Sequence, residues 1–471
     1  MLIAWKSVVF YRCFCWKSVV FSCLFCWKSV IMLYRKIEKE IENHLLADNR
    51  KILIVDGARQ VGKSYIIRHV GQRLFPNYIE LNMEADKLNK KFFAEAKTVE
   101  DFYIALSVVA GEKMKERENT LVFVDEIQAY DHLLTLLKFL SEDNRFTYIA
   151  SGSLLGVTLR QTSSVPIGSI LIKHMYPMDF EEFLVANHMG KTAIDAMTQC
   201  FEKRQSLTAA LHEKMMDLCR KYLLVGGMPD AVKQFVETQN IVEVRNIQKQ
   251  IHQLYAVDAS RYESEHRRLK IQRIFQMVPS NMENKKKRMV AKDIEGKSGK
   301  RMADYSEEFD YLISAGIALE VKAISKPSYP LLQNATKNLL KLYINDVGIL
   351  TSLLYGNNIL PIMQDEISVN LGAVYESVVA QELRASGLDL YYYDNKKHGE
   401  VDFLIDNVAG LSVTPIEVKS GKDYRVHSAL THFLSTPEYH VKEAIVLSNH
   451  PNVYQENGVT YMPIYFMMFL V

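Results

Sequence analysis

The sequence predicts an α/β protein organised around a parallel sheet that carries a phosphate-binding turn, with further domains behind it. Three observations predict this. An apolar run of β-formers, Ile52 to Val55, stops at Gly57, and a helical pattern opens near Lys63. A second run, Thr120 to Val124, ends in the acid pair Asp125 and Glu126, and the C-terminal end of such a buried strand is where α/β sites collect. The chain has 471 residues, too many for one core, so about two to four domains are expected.

Composition narrows the class. Hydrophobic content of 48% and charged content of 24% are ordinary for a water-soluble globular protein. A net charge of +2 excludes a uniformly basic nucleic-acid coat, though not a local patch. The 6 cysteines are too few for a disulfide framework, and only Cys200 and Cys219 lie in the body of the chain. That usage fits a reducing, cytoplasmic setting.

Residues 1–31 form a repeat. Trp5, Trp16 and Trp27, the 3 tryptophans of the chain, each open the same phrase (WKSVV, WKSVV, WKSVI). Three copies without capping residues do not build a solenoid. Lys6, Arg12, Lys17 and Lys28 interrupt any membrane span, so no stable membrane insertion is expected. Cys23 and Cys26 have C-x-x-C spacing, but no second pair follows with zinc-site spacing. The segment is read as a translated repeat or non-native extension, with Met32 as the natural first residue, and is set aside.

The turn is Gly57-Ala58-Arg59-Gln60-Val61-Gly62-Lys63-Ser64, followed by Tyr65, and it fits G-x-x-x-x-G-K-[ST] at every fixed position. A triphosphate needs several backbone N–H groups aimed at it, and Gly57 and Gly62 let the chain bend around the phosphate without Cβ clashes. The following helix adds its positive N-terminal end. Lys63 is placed to reach the β- and γ-oxygens, and Ser64 to fill one position around Mg²⁺. ATP and Mg²⁺ are therefore the expected ligands, and residues 32–176 the nucleotide-binding domain.

Three more strands follow in that domain. Tyr78 to Met83 is the second β-rich phrase. At the end of the third, Asp125 is expected in the Mg²⁺ shell through water, and Glu126 as the general base on the attacking water. The fourth, Phe146 to Ala150, ends in Ser151-Gly152-Ser153. A hydroxyl at this strand tip would sense the γ-phosphate. Ser153 is the primary choice and Ser151 its competitor, and either also suits a helix N-cap.

This order of motifs resembles an AAA-type P-loop ATPase. The phrases GARQVGKS, FVDEIQ and SGSLL, with the stretches Tyr176–Phe183 and Tyr222–Val232, are similar to those of the prokaryotic AAA-type ATPases distantly related to origin-recognition ATPases. That family carries a C-terminal domain of uncharacterised role, and the resemblance runs from Met32 to the end. It implies ATP hydrolysis and a possible homo-oligomer in which an arginine finger comes from a neighbour. Arg160 is the finger candidate. No lid arginine stands out, and Ser169 stands where many relatives carry a basic residue.

Residues 177–236 read as a helical lid interrupted by the turn Gly226 to Pro229. Residues 237–335 read as a winged-helix-like region. It has helical stretches at Ile271–Met277, Met289–Ile294 and Met302–Ala315, then a β-like pair opening at Ile317. Between them runs Lys285-Lys286-Lys287-Arg288, with Lys292, Lys297, Lys300 and Arg301 nearby. Two readings stand, DNA phosphate contacts or a solvated loop.

Residues 336–471 carry a second constellation. Glu376 lies on the helical stretch Gly372–Arg384, Asp402 on the strand-like run Glu400–Ile405, and Glu417 and Lys419 on the run that starts at Pro415. Residues two apart on a strand share a face, so Glu417 and Lys419 project together. Neighbouring strands would then present Asp402 and Glu417 to one divalent ion, with Lys419 orienting water. The order resembles the PD-(D/E)xK nuclease fold, a restriction-endonuclease-like α/β domain, in the junction-resolvase style where a helix glutamate joins the site. His398 has no matching ligand. Three functions remain open: an ATPase coupled to a DNA-associated C-terminal module, an ATP-gated DNA nuclease, and a nucleotide-dependent interaction protein whose nuclease-like domain is inactive.

Overall fold

The computed structural model describes residues 32–470 apart from 48, 154, 157–167, 259–264, 285–286, 297–298, 365–370, 396 and 422. The N-terminal repeat, Arg160, Lys285, Lys286 and Lys297 lie outside the described residues.

Five strands make the first sheet: β1 (Ile52–Asp56), β2 (Asn77–Asn82), β3 (Thr120–Asp125), β4 (Thr147–Gly152) and β5 (Ile170–His174). Every residue of β1 and β3 is buried, as continuous apolar runs covered on both faces must be. The order is β2-β3-β4-β1-β5 and all pairings are parallel. Placing β4 between β1 and β3 brings three strand ends together, at Asp56, Asp125 and Gly152. The helix Lys63–Leu74 buries Ile66, Ile67 and Val70. At Gly71 a Cβ would lie 2.8 Å from both Tyr78 and Leu121, so helix and sheet meet where there is no side chain. The helix Asp131–Asp143 buries Leu133, Leu134, Leu136, Leu137 and Leu140, a stripe at helical spacing.

Helices fill the middle of the chain: Phe180–Ala186, Lys191–Glu202, Ala209–Val225, Pro229–Thr238, Ile241–Asp258 and Glu265–Glu283. Buried polar groups tie them to the rest. Arg245 Nη1 donates to Leu224 O at 3.0 Å, Gly348 O at 3.1 Å and Thr351 Oγ1 at 2.9 Å. Glu382 Oε1 accepts from Phe180 N at 2.9 Å and lies 3.1 Å from Tyr222 OH. Burial holds the Glu382 carboxyl well above its ordinary value, with Asp179 adding to the rise. From Leu33 onward the chain clusters as one unit.

The second sheet has eight strands in the order β12-β13-β11-β10-β9-β8-β6-β7. These are β6 (Ala318–Ile324), β7 (Ala335–Ile344), β8 (Leu390–Asn395), β9 (Gly399–Asn407), β10 (Ser412–Val418), β11 (Ala444–Ser448), β12 (Tyr454–Glu456) and β13 (Val459–Pro463). The sheet is mixed: β8, β9 and β10 run antiparallel in turn, and β11 is parallel to β10. The helix Gly372–Ala385, buried from Ala373 through Leu383, precedes them in the chain.

One expectation is corrected here. The β-like pair opening at Ile317 was assigned to a winged-helix-like region ending at 335. Instead β6 pairs with β7 on one side and with β8 on the other, so the hairpin extends the C-terminal sheet. The cause is apolar content: β6 buries Ala318, Leu319, Val321, Ala323 and Ile324, more than a two-stranded wing covers. Among the described residues, no helix is long and apolar enough to cross a membrane.

Candidate functional site

The turn after β1 is shaped by two glycines for different reasons. Gly57 has φ 147°, and a Cβ there would stand 2.2 Å from Met175 O, so the segment leaving β5 lies directly against it. Gly62 has φ 97° and opens the helix Lys63–Leu74, a backbone conformation that side chains with a Cβ resist. Ala58 and Val61 are buried, Gln60 faces outward with φ 64°, and Tyr65 is exposed.

Three contacts from distant segments hold the turn. Arg35 donates through Nη1 to Val61 O at 2.7 Å and through Nη2 to Tyr176 O at 2.6 Å, and pairs with Glu182 at 3.0 Å. Tyr255 OH donates to Arg59 O at 2.9 Å. Arg59 itself pairs with Asp258 at 2.8 Å and Glu84 at 3.3 Å. Sequence reading missed Arg35, Tyr255 and Asp258, because nothing local marks a partner so far along the chain.

Lys63 is buried, and its Nζ donates to Gly57 O at 2.9 Å and Ala58 O at 2.8 Å. Burial lowers its pKa, against the pull of Glu126, Asp56 and Asp125. Ser64 Oγ donates to Asp125 Oδ1 at 2.8 Å, and Asn82 Nδ2 to Asp125 Oδ2 at 3.2 Å. Ser151 Oγ also donates to Asp125 Oδ1. Burial raises the Asp125 pKa, with Ser151 and Ser64 acting against it.

Glu126 turns the chain with φ 53° and ψ 48°, an uncommon left-handed conformation for a residue with a side chain. Its Oε2 accepts from Ser153 Oγ at 2.7 Å and from Gln128 Nε2. Burial acts to raise the Glu126 pKa, but the Lys63 charge and the hydrogen bonds from Ser153 and Gln128 outweigh it, leaving the group below its usual value. The two competing serines thus divide between the two acids, Ser151 to Asp125 and Ser153 to Glu126.

A second cluster lies on the C-terminal sheet. Ile416 pairs with Phe403 across β9 and β10, which sets Glu417 beside Asp402. Asp402 Oδ2 accepts from Val418 N at 2.8 Å, and Lys419 Nζ reaches Glu417 Oε1 at 2.7 Å. Tyr343 OH donates to Glu376 Oε2 at 3.3 Å. Asp402 is pushed well up by burial, then by Glu376 and Glu417, with Lys287 and Lys341 pulling it back. Burial also raises Glu417, against Lys419. Among the described residues no three His, Cys, Asp or Glu side chains are disposed to hold a metal ion.

The basic run requires a correction. Lys287 and Arg288 are read in sequence as DNA phosphate contacts or as part of a solvated loop, and both readings have them facing water. Lys287 pairs with Glu376, and Arg288 with Asp394 and, at 3.4 Å, Glu400. Lys341, fully buried, pairs with Glu400 and lies 4.4 Å from the Tyr392 ring centre. A buried carboxylate such as Glu376 is costly to leave unpaired, so it takes a cation as partner, and the sequence run gave no sign of that direction. His398 stacks on His432 with ring centres 3.4 Å apart.

Residues 49–184 match the family described as "AAA domain". Residues 216–359 and 371–467 match two families described as domains of unknown function, DUF8612 and DUF4143. No curated protein matches the chain. Among solved structures, the chain is similar to the Walker-type ATPase PABY2304 of Pyrococcus abyssi, at 14% identity and TM-score 0.40, covering 69% of this chain and 96% of that one. The AMPPCP-bound DnaA of Aquifex aeolicus matches at 12% identity and TM-score 0.27, covering 51% of this chain and 76% of that one. The RuvB Holliday junction branch migration motor of Thermotoga maritima matches at 13% identity and TM-score 0.30, covering 61% of this chain and 89% of that one. On the family match, residues 49–184 are an AAA-type P-loop ATPase domain.

Proposed function

We propose that the chain binds Mg-ATP at the turn Gly57 to Tyr65 and hydrolyses it, and that hydrolysis acts on a DNA-associated C-terminal module. One observation carries the ATPase reading: at three neighbouring strand ends Ser64 bonds to Asp125 and Ser153 to Glu126, and both acids act on the charge of Lys63. The residues fit the ion. A hydroxyl and a carboxylate already in contact, Ser64 and Asp125, are the donor set of a Mg²⁺ that takes its other positions from phosphate and water. When bound, the ion neutralises charge on the phosphate oxygens.

The remaining work falls to the chain. Lys63 exchanges two loop carbonyls for phosphate oxygens, which carry the negative charge that those neutral carbonyls do not. Glu126, held ionised, accepts a proton from the attacking water. The water oxygen bonds to the γ-phosphorus, the bond to the β,γ-bridging oxygen breaks, and ADP and phosphate leave. Replacing Lys63 with Ala is expected to weaken ATP binding by at least about 10- to 100-fold, the value of one or more charge-assisted hydrogen bonds. Isothermal titration with ATP and Mg²⁺ checks it, and an unchanged affinity would end the reading.

A second reading has its own observation. The helix Gly372–Ala385 is followed by antiparallel β8, β9 and β10, then the helix Ser428–Leu434 and parallel β11. Asp402 sits beside Glu417 across β9 and β10, with Lys419 against Glu417, which supports a PD-(D/E)xK-like reading. Here the chain is an ATP-gated DNA nuclease, and Lys287 is the internal cation that closes the site. Plasmid, linear and branched DNA incubated with ATP and Mg²⁺ or Mn²⁺ would be cut, and Asp402→Ala would abolish cutting. No cutting of any form leaves the C-terminal module as a nucleotide-dependent interaction domain.

A further inference from the structure

Gln128 closes the phrase FVDEIQ but was given no role of its own, yet it bonds to both Glu126 and Ser153. It lies on the turn Ile127–Ala129 and is buried. Its Nε2 donates to Glu126 Oε2 and to Ser153 Oγ, the latter at 3.2 Å. A carboxylate accepts only, so the amide nitrogen must be the atom that faces it. Its Oε1 has no hydrogen-bond partner. Gly152 makes room for it, because a Cβ at Gly152 would lie 2.9 Å from that Oε1. The left-handed turn at Glu126 is what folds residue 128 back under the tip of β4.

We propose that Gln128 is the positioning residue of the hydrolytic base, linking Glu126 to the hydroxyl that meets the γ-phosphate. This rests on the ATPase reading above and deepens it. Donor arithmetic gives the reason. Ser153 has one O–H, and it now points at Glu126. When a γ-phosphate arrives, that proton turns to the phosphate and Glu126 loses a donor. The two N–H bonds of Gln128 persist through this change, because the Ser153 oxygen still accepts while its proton points elsewhere. Glu126 is thereby kept aimed, and its position is tied to whether the phosphate is present.

The test is steady-state ATP hydrolysis by the full chain carrying Gln128→Met, close to isosteric beside Gly152, with ATP affinity measured in parallel. Turnover is expected to fall about tenfold or more, with KM for ATP nearly unchanged. A brace that merely fills space would be replaced by the methionine, and kcat would stay in place. Gln128→Glu, which sets a second acid against Glu126, should also lower kcat with KM nearly unchanged, and it serves if the methionine variant does not fold. An active wild-type chain whose Gln128 variants keep kcat overturns this proposal alone. A wild-type chain that binds ATP without turnover overturns the ATPase reading and this proposal together.

Discussion

Replacing Glu126 with Gln is expected to stop ATP turnover while leaving ATP bound. The amide keeps the size of the side chain and can still accept from Ser153, so the cluster stays assembled. What it cannot do is take a proton from water. Loss of a positioned general base typically costs between about 10² and 10⁴ in rate. Removing the charge has a second effect. Glu126 is one of three carboxylates facing Lys63, and with fewer of them the site repels the triphosphate less. ATP affinity should therefore hold or rise, and nucleotide should copurify with the variant. Single-turnover hydrolysis and filter retention of labelled ATP separate the two effects. Turnover within a few-fold of wild type would remove Glu126 from the chemistry.

The site was legible in proportion to how local its signals are. The glycine-rich turn, the acid pair after an apolar run and the serines after the next one are each written within a few residues, and the parallel sheet brings their strand ends together. Ser151 and Ser153 could not be told apart in sequence, because residues two apart on a strand project to one face. The structure separates them by partner. Arg35, Tyr255 and Asp258 brace the turn from far along the chain, and no periodicity announces such contacts. The basic run misled for the same reason. Charge density is visible in sequence, but whether Lys287 and Arg288 face water or buried acids depends on the C-terminal sheet, which forms around Glu376, Asp394 and Glu400. The β6–β7 hairpin was recognised as β-structure and assigned to the wrong neighbour, because pairing is a non-local choice.

The turn at Gly226 to Pro229 joins the helices Ala209–Val225 and Pro229–Thr238, and there a single methyl group should be severe. A Cβ on Gly227 would stand 1.9 Å from Met178 O and 2.7 Å from Met178 N. Those atoms are not free to move. Met178 N donates to Gly227 O at 2.7 Å, Tyr222 OH donates to Met178 O at 2.6 Å, and Gly227 N donates to Asp346 Oδ2 at 2.6 Å. Asp346 is fully buried and burial holds its carboxyl up at about 6, so losing the Gly227 donor leaves it without a partner it needs when ionised. Gly227→Ala must therefore either break the backbone pair with Met178 or pull the turn off Asp346, at a cost of about 3 kcal/mol or more. Gly190→Ala is the control: nothing lies within 4 Å of a Cβ there, and its φ is −72°, so its effect should stay below about 1 kcal/mol. Thermal melts of the two variants, with and without ATP and Mg²⁺, decide it. Equal stability of Gly227→Ala and Gly190→Ala would mean that Gly227 is not packed against Met178 and Asp346.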